Sequence, residues 1–138
     1  MATTPQFVAT ANIGAVRPTA ANTASDGSGT LGTDIFALVT AGANGTRVDR
    51  ISITNSQATA AASTALVARF FLHDGTNTRL IEEVAVASAT RSTSAVGAKA
   101  AVYFPGGLFI PSGSSIRCCV SVFAAASQVD IVAFGGNM

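Results

Sequence analysis

A chain of 138 residues with 49% hydrophobic side chains is long enough to bury a core without crosslinks, yet only 11% of it is charged, against roughly 25% in an ordinary soluble domain. The net charge is +1 and the eight cations are scattered, which excludes a phosphate-tracking stripe and argues against nucleic acid as a partner. No apolar run approaches the ~18 residues of a bilayer span, and "MATTPQFVAT" lacks the basic and apolar regions of a secretory leader, so neither a membrane nor a secreted role is expected.

In chain order, the first 32 residues are dominated by Ala, Thr, Asn, Ser and Gly. Residues 1–24 read as an N-terminal arm that orders against a partner, with an edge strand within 13–22, where Pro18 forbids a central position. "SDGSGTLG" (25–32) reads as a flexible joint, and 33–138 as the folded domain. "TDIFALVTA" (33–41) is apolar on both parities, as a central strand is, and Asn44-Gly45 turns the chain. In "RVDRISITN" (47–55), Ile51 and Ile53 share one face, and Arg50, Ser52 and Thr54 the other. "SQATAAASTA" (56–65) and "VASATRSTSAVGAKA" (86–100) are loops of small, mostly polar residues.

Residues 66–86 read as a hairpin around a three-residue loop, Gly75-Thr76-Asn77. One register keeps an apolar face together, with Leu66, Ala68 and Leu72 opposite Val86, Val84 and Leu80. It also sets Arg69 opposite Glu83 as a cross-strand ion pair, Phe71 opposite Ile81 and His73 opposite Arg79. Glu82 then shares a face with apolar neighbours and requires a partner, a sheet margin or a subunit contact.

"AVYF" (101–104) and "LFI" (108–110) are expected as two short strands around a "PGG" turn. "SIRCCVSVFA" (115–124) puts Ile116, Cys118, Val120 and Val122 on one face, so its adjacent cysteines point to opposite sides and stay free thiols. "QVDIVAF" (128–134) is the last strand. Short strands separated by turn residues every 8–12 positions or so predict an all-β fold. The expected architecture is an antiparallel β-sandwich of jelly-roll type with an extended N-terminal arm.

The single histidine, His73, stands beside Asp74 with Glu82 and Glu83 nearby. On a hairpin tip and one strand these groups do not converge as acid–base chemistry requires. One histidine and two adjacent cysteines fall short of the four ligands of a zinc site. "DGSGTLGTD" and "DGTN" carry too few carboxylates for a calcium loop, and no phosphate loop or nucleophile elbow occurs. No enzymatic activity and no cofactor are expected. The residues singled out are interface candidates: Phe7, Val8, Ile13 and Arg17 on the arm, Arg69, Glu82 and Glu83 on the hairpin, and Tyr103. A surface so poor in charge suits contact with copies of itself. Lectin-like binding competes with this reading, but the chain has no Trp and a single Tyr.

Through "FVATANIGAVRPTAANTASDGSGTLGTDIFALVTAGANGTRVDRISI", "RFFLHDGTNTRLIEEVAV", "GGLFIPSGSSIRCCVS" and "VAFGG", the chain resembles small virion-type proteins of tailed phages and prophages. The resemblance covers nearly the whole length and rests on turns and hairpins. It implies a virion component made in the host cytoplasm, a capsid decoration (cement) protein or a head or tail accessory. By the same resemblance its partners are itself, as a homotrimer, and the major capsid protein or another virion protein. A receptor- or glycan-binding module on a tail or head fibre is the alternative. Chains of this kind commonly end in an aromatic after Gly-Gly-Asp, where this one has "GGNM".

Overall fold

The computed structural model describes residues 8–57, 62–124 and 128–138, so Phe7 lies outside the described residues. The strands are β1 (Thr10–Ala11), β2 (Gly14–Val16), β3 (Phe36–Thr40), β4 (Thr46–Asn55), β5 (Leu66–His73), β6 (Thr78–Val86), β7 (Lys99–Ile110), β8 (Ser115–Val120) and β9 (Val129–Asn137). Among the described residues there is no helix, and two antiparallel sheets face each other as a β-sandwich. In the five-stranded sheet β1 and β2 both flank β9, followed by β4 and β7; the other sheet runs β3-β8-β5-β6.

The core lies between the sheets. Ile51 and Ile53 of β4 and Ile131 and Ala133 of β9 meet Ala68 and Phe70 of β5 and Ile116, Cys118 and Val120 of β8, all essentially inaccessible. Each large aliphatic side chain buried here contributes about 1.5–3 kcal/mol. The alternation in 47–55 sends Ile51 and Ile53 inward, and Arg50, Ser52 and Thr54 are the less buried positions between and beyond them. Val48, three residues before Ile51, is also buried, because the register of β4 shifts between Val48 and Arg50 in both of its ladders. Asp49 is the extra residue, and its bulge resets the inward phase.

The adjacent cysteines are free and point to opposite sides, Cys118 into the core and Cys119 outward. Outside the four-stranded sheet Cys119 forms a second buried cluster with Phe71 and Ile35. The chain from Asn22 to Ile35 covers it: the Asn22 N–H donates to the Val120 carbonyl at 2.8 Å, and Cys119 Sγ donates to the Asn22 carbonyl at 3.7 Å. The two faces of this sandwich therefore differ, since among the described residues the second buried cluster lies on the outer side of the four-stranded sheet.

The two sides differ as well. On one, β2 presses against β3 so closely that a Cβ on Gly14 would lie 1.7 Å from the Leu38 carbonyl oxygen. On the other, β6 and β7 are end strands, each with one neighbour.

Three sequence readings need correction. Segment 33–41 is not a central strand: β3 ends its sheet. A register shift between Ala37 and Val39 turns both Leu38 and Val39 into the core, which accounts for apolar residues on both parities. The hairpin register holds from Leu66–Val86 to Phe70–Glu82, then slips to pair Phe71 with Leu80, Leu72 with Arg79 and His73 with Thr78. Asp74 closes the tip one residue early. Its carboxylate accepts the Thr76 and Asn77 N–H groups at 2.9 and 2.7 Å, and its own N–H donates to the Asn77 carbonyl at 3.1 Å, the local bonding that favours Asp in turns. The slip leaves Ile81 as a bulge. Lastly, Pro105-Gly106-Gly107 does not separate two strands but lies inside β7, where the ladder passes from Val48–Leu108 to Arg50–Tyr103. Gly106 and Gly107, at φ +81° and +84°, form the protrusion without strain, and Pro105 is tolerated because β7 is an end strand.

Candidate functional site

The interface candidates separate onto two surfaces. The first is the uncovered face of the five-stranded sheet. Thr10–Asn137 and Gly14–Ala133 share one register, which places Ile13 level with Phe134 of β9. The Arg50 guanidinium stacks over the Phe134 ring at 4.3 Å, a cation–π contact, and Arg50 pairs on its other side with Tyr103. Ile13, Phe134, Arg50 and Tyr103 thus cross the sheet as one row, with Ile13 58% and Tyr103 67% exposed. Val8 lies against Gly136 of β9.

Arg17 extends this surface. Its Nε and Nη2 donate to the two carboxylate oxygens of Asp130 at 2.7 and 3.0 Å, tying the segment after β2 to β9. The hydrogen bond from Arg17 holds the Asp130 carboxyl below its ordinary range, with desolvation opposing. A carboxyl with a depressed folded-state pKa stabilises above its unfolded value of about 3.9, and that contribution fades as the pH drops through the folded value. Both groups are well exposed, so the effect is small. Asp130→Asn is expected to be slightly less stable than the parent at pH 7 and equal to it near about pH 2; urea unfolding at the two pH values checks this.

The second surface is the β6 side of the other sheet. Arg69 Nε meets Glu83 Oε1 at 2.6 Å, and Arg69 Nη1 also donates to the Thr23 carbonyl at 3.3 Å. This pair therefore anchors the covering segment as well as the strand. Glu82 finds its place at the sheet margin, exposed on the end strand and accepting the Glu83 N–H at 3.2 Å.

Other polar groups hold the fold. At one end Asn12 Nδ2 donates to Asn137 Oδ1 at 2.8 Å, and the Thr46 hydroxyl donates to the same oxygen at 2.6 Å, binding the N-terminal segment, β4 and the "GGNM" tail together. His73 Nδ1 lies 3.0 Å from Thr78 Oγ1 beside the hairpin tip. Burial raises the pKa of both cysteine thiols, which suppresses the thiolate needed for nucleophilic chemistry. Among the described residues no three His, Cys, Asp or Glu side chains gather to hold a metal ion.

The sequence reading missed a cleft on the uncovered face. One part, of about 430 Å³, lies beneath the 91–97 loop, and another, of about 420 Å³, lies on the sheet beside Tyr103; they share Thr54 and Lys99. The outward side of 47–55 was legible, but its neighbours Lys99 and Tyr103 follow only from the pairing of β4 with β7. No protein-family model, curated protein or solved structure matches the chain.

Proposed function

We propose that this protein is a structural component of a tailed-phage virion, a capsid decoration (cement) protein that binds the outside of the head as a homotrimer and acts without catalysis. The strand order carries the reading. With β1 and β2 counted as one interrupted strand, the first strand pairs with the last, β3 with β8, β4 with β7 and β5 with β6. This pairing supports reading the sandwich as a jelly roll, a long hairpin rolled into two sheets and an architecture that recurs in viral capsid domains. Fold alone does not assign function. The reading gains support from the low charge, which suits packing against copies, and from the two adjacent end strands. Edges of this kind take part in strand-to-strand contacts unless blunted; here the Ile81 bulge and the Pro105 protrusion restrict where a neighbour can pair. Subunit contacts along β6 and β7, with shell contacts from the N-terminal segment, fit these features.

Sedimentation equilibrium is expected to give a trimer of the 13.8 kDa chain, and the protein is expected to pellet with expanded heads. A monomer at high concentration that also fails to bind heads would overturn the reading.

A further inference from the structure

We propose that the cleft on the uncovered sheet face binds an acidic saccharide, with Arg50, Arg91 and Lys99 meeting its negative groups and Tyr103 stacking on a sugar ring. Each part of the cleft falls within the ~300–1,000 Å³ range of small-ligand sites, and the parts join at Thr54 and Lys99.

Its electrostatics are one-sided. Of the eight cations, three form ion pairs with carboxylates among the described residues: Arg17, Arg47 and Arg69. Three of the other five, Arg50, Arg91 and Lys99, line this cleft, and no carboxylate does. The nearest in the same row is Asp130, opposite Thr54 on the β9 side, and Arg17 already occupies both of its oxygens. Cations left without counter-charge favour an anionic ligand, and the guanidinium fork suits a carboxylate or sulfate.

The site is also built in advance. Arg91 Nη1 donates to the Gln57 carbonyl at 2.9 Å. The Ser92 N–H donates to the Ala95 carbonyl at 3.0 Å, and Ser92 Oγ accepts the Ala95 N–H at 3.0 Å. Gly97 packs so tightly on Asn55 that a Cβ there would lie 3.0 Å from Asn55 Oδ1. A loop fixed before binding loses little entropy on binding. Hydroxyls of Thr54 and Ser94 face sugar hydroxyls, and the exposed ring of Tyr103 offers an apolar body with a polar tip. A nucleic acid would require several stacking platforms and a longer run of cations, whereas this cleft has one aromatic. The inference goes beyond a decoration role and does not rest on it, because the cleft is lined by residues of a single chain.

The chain contains one tyrosine and no tryptophan, so its intrinsic emission reports on Tyr103 alone. Titration of the full chain with oligogalacturonate, a sulfated oligosaccharide, neutral maltooligosaccharide and oligo(dT) tests the proposal. A saturable emission change is expected with at least one acidic saccharide, about tenfold or more tighter than with the neutral one, and weakened by added salt. Lys99→Gln and Arg91→Gln are each expected to weaken it about five- to tenfold by calorimetry with unchanged circular dichroism, and Lys99→Arg to retain it. Failure of both acidic probes to saturate, equal binding of the neutral one, or tighter binding of oligo(dT) would overturn the assignment.

Discussion

Gly14→Ala is expected to destabilise the fold by at least about 3 kcal/mol, the upper range for forced overpacking. The added methyl would lie 1.7 Å from the Leu38 carbonyl oxygen and 2.7 Å from its carbon. Leu38 cannot retreat, because its side chain and that of Val39 are already in the core. Gly14 is not among the glycines with positive φ, so the penalty is purely steric. Gly32→Ala supplies the contrast. Its Cβ would meet nothing within 4 Å, while its φ of +83° makes the cost conformational, about 1–2 kcal/mol. Guanidinium unfolding of the two variants orders them. Equal losses would mean that β2 and β3 do not seal that side of the sandwich.

Phe71→Ala is expected to cost about 3–5 kcal/mol, as truncation of a buried aromatic does, and to leave a chemical trace. Phe71, Ile35 and Cys119 form the cluster beneath residues 22–35. Removing the ring takes away most of what that segment rests on, so Cys119 should react faster with a thiol reagent under native conditions while Cys118 stays protected. Phe70→Ala, on the other side of the same sheet, should lose comparable stability without the selective Cys119 labelling. Unchanged Cys119 reactivity in Phe71→Ala would refute the covering role of that segment.

The contrast between Phe70 and Phe71 also marks how far the sequence can be read. Alternation identified the inward side of β4 and β8 because a half-buried strand must repeat with period two. It located the hairpin and the Arg69–Glu83 pair, because a misplaced register would strand apolar side chains in water. It failed wherever one residue is out of phase. Phe70 and Phe71 are both buried because one side of the sheet packs on the other sheet and the opposite side lies under a loop, and nothing in "RFFLH" states this. The β6 bulge, the Asp49 bulge and the protrusion at Pro105 depend likewise on which strand lies opposite. The cleft was invisible for the same reason. Arg50 and Lys99 are far apart in sequence, and only the β4–β7 pairing sets them on one surface. Tyr103 was singled out as an interface candidate, but without its cationic neighbours.

The position of β9 governs how the chain reaches this state. The last described strand sits between β4 and the N-terminal pair β1 and β2, and Arg17 finds Asp130 across 113 residues. Until that strand emerges from the ribosome, β4 lacks one neighbour and residues 10–16 have no ladder to join. Assembly of this sheet therefore waits for β9 to be made, and so large a loop closure makes the folding step slow. Through that delay the low-charge chain displays unpaired backbone, the interval when aggregation competes hardest, so chaperone supply should limit yield more than native stability does.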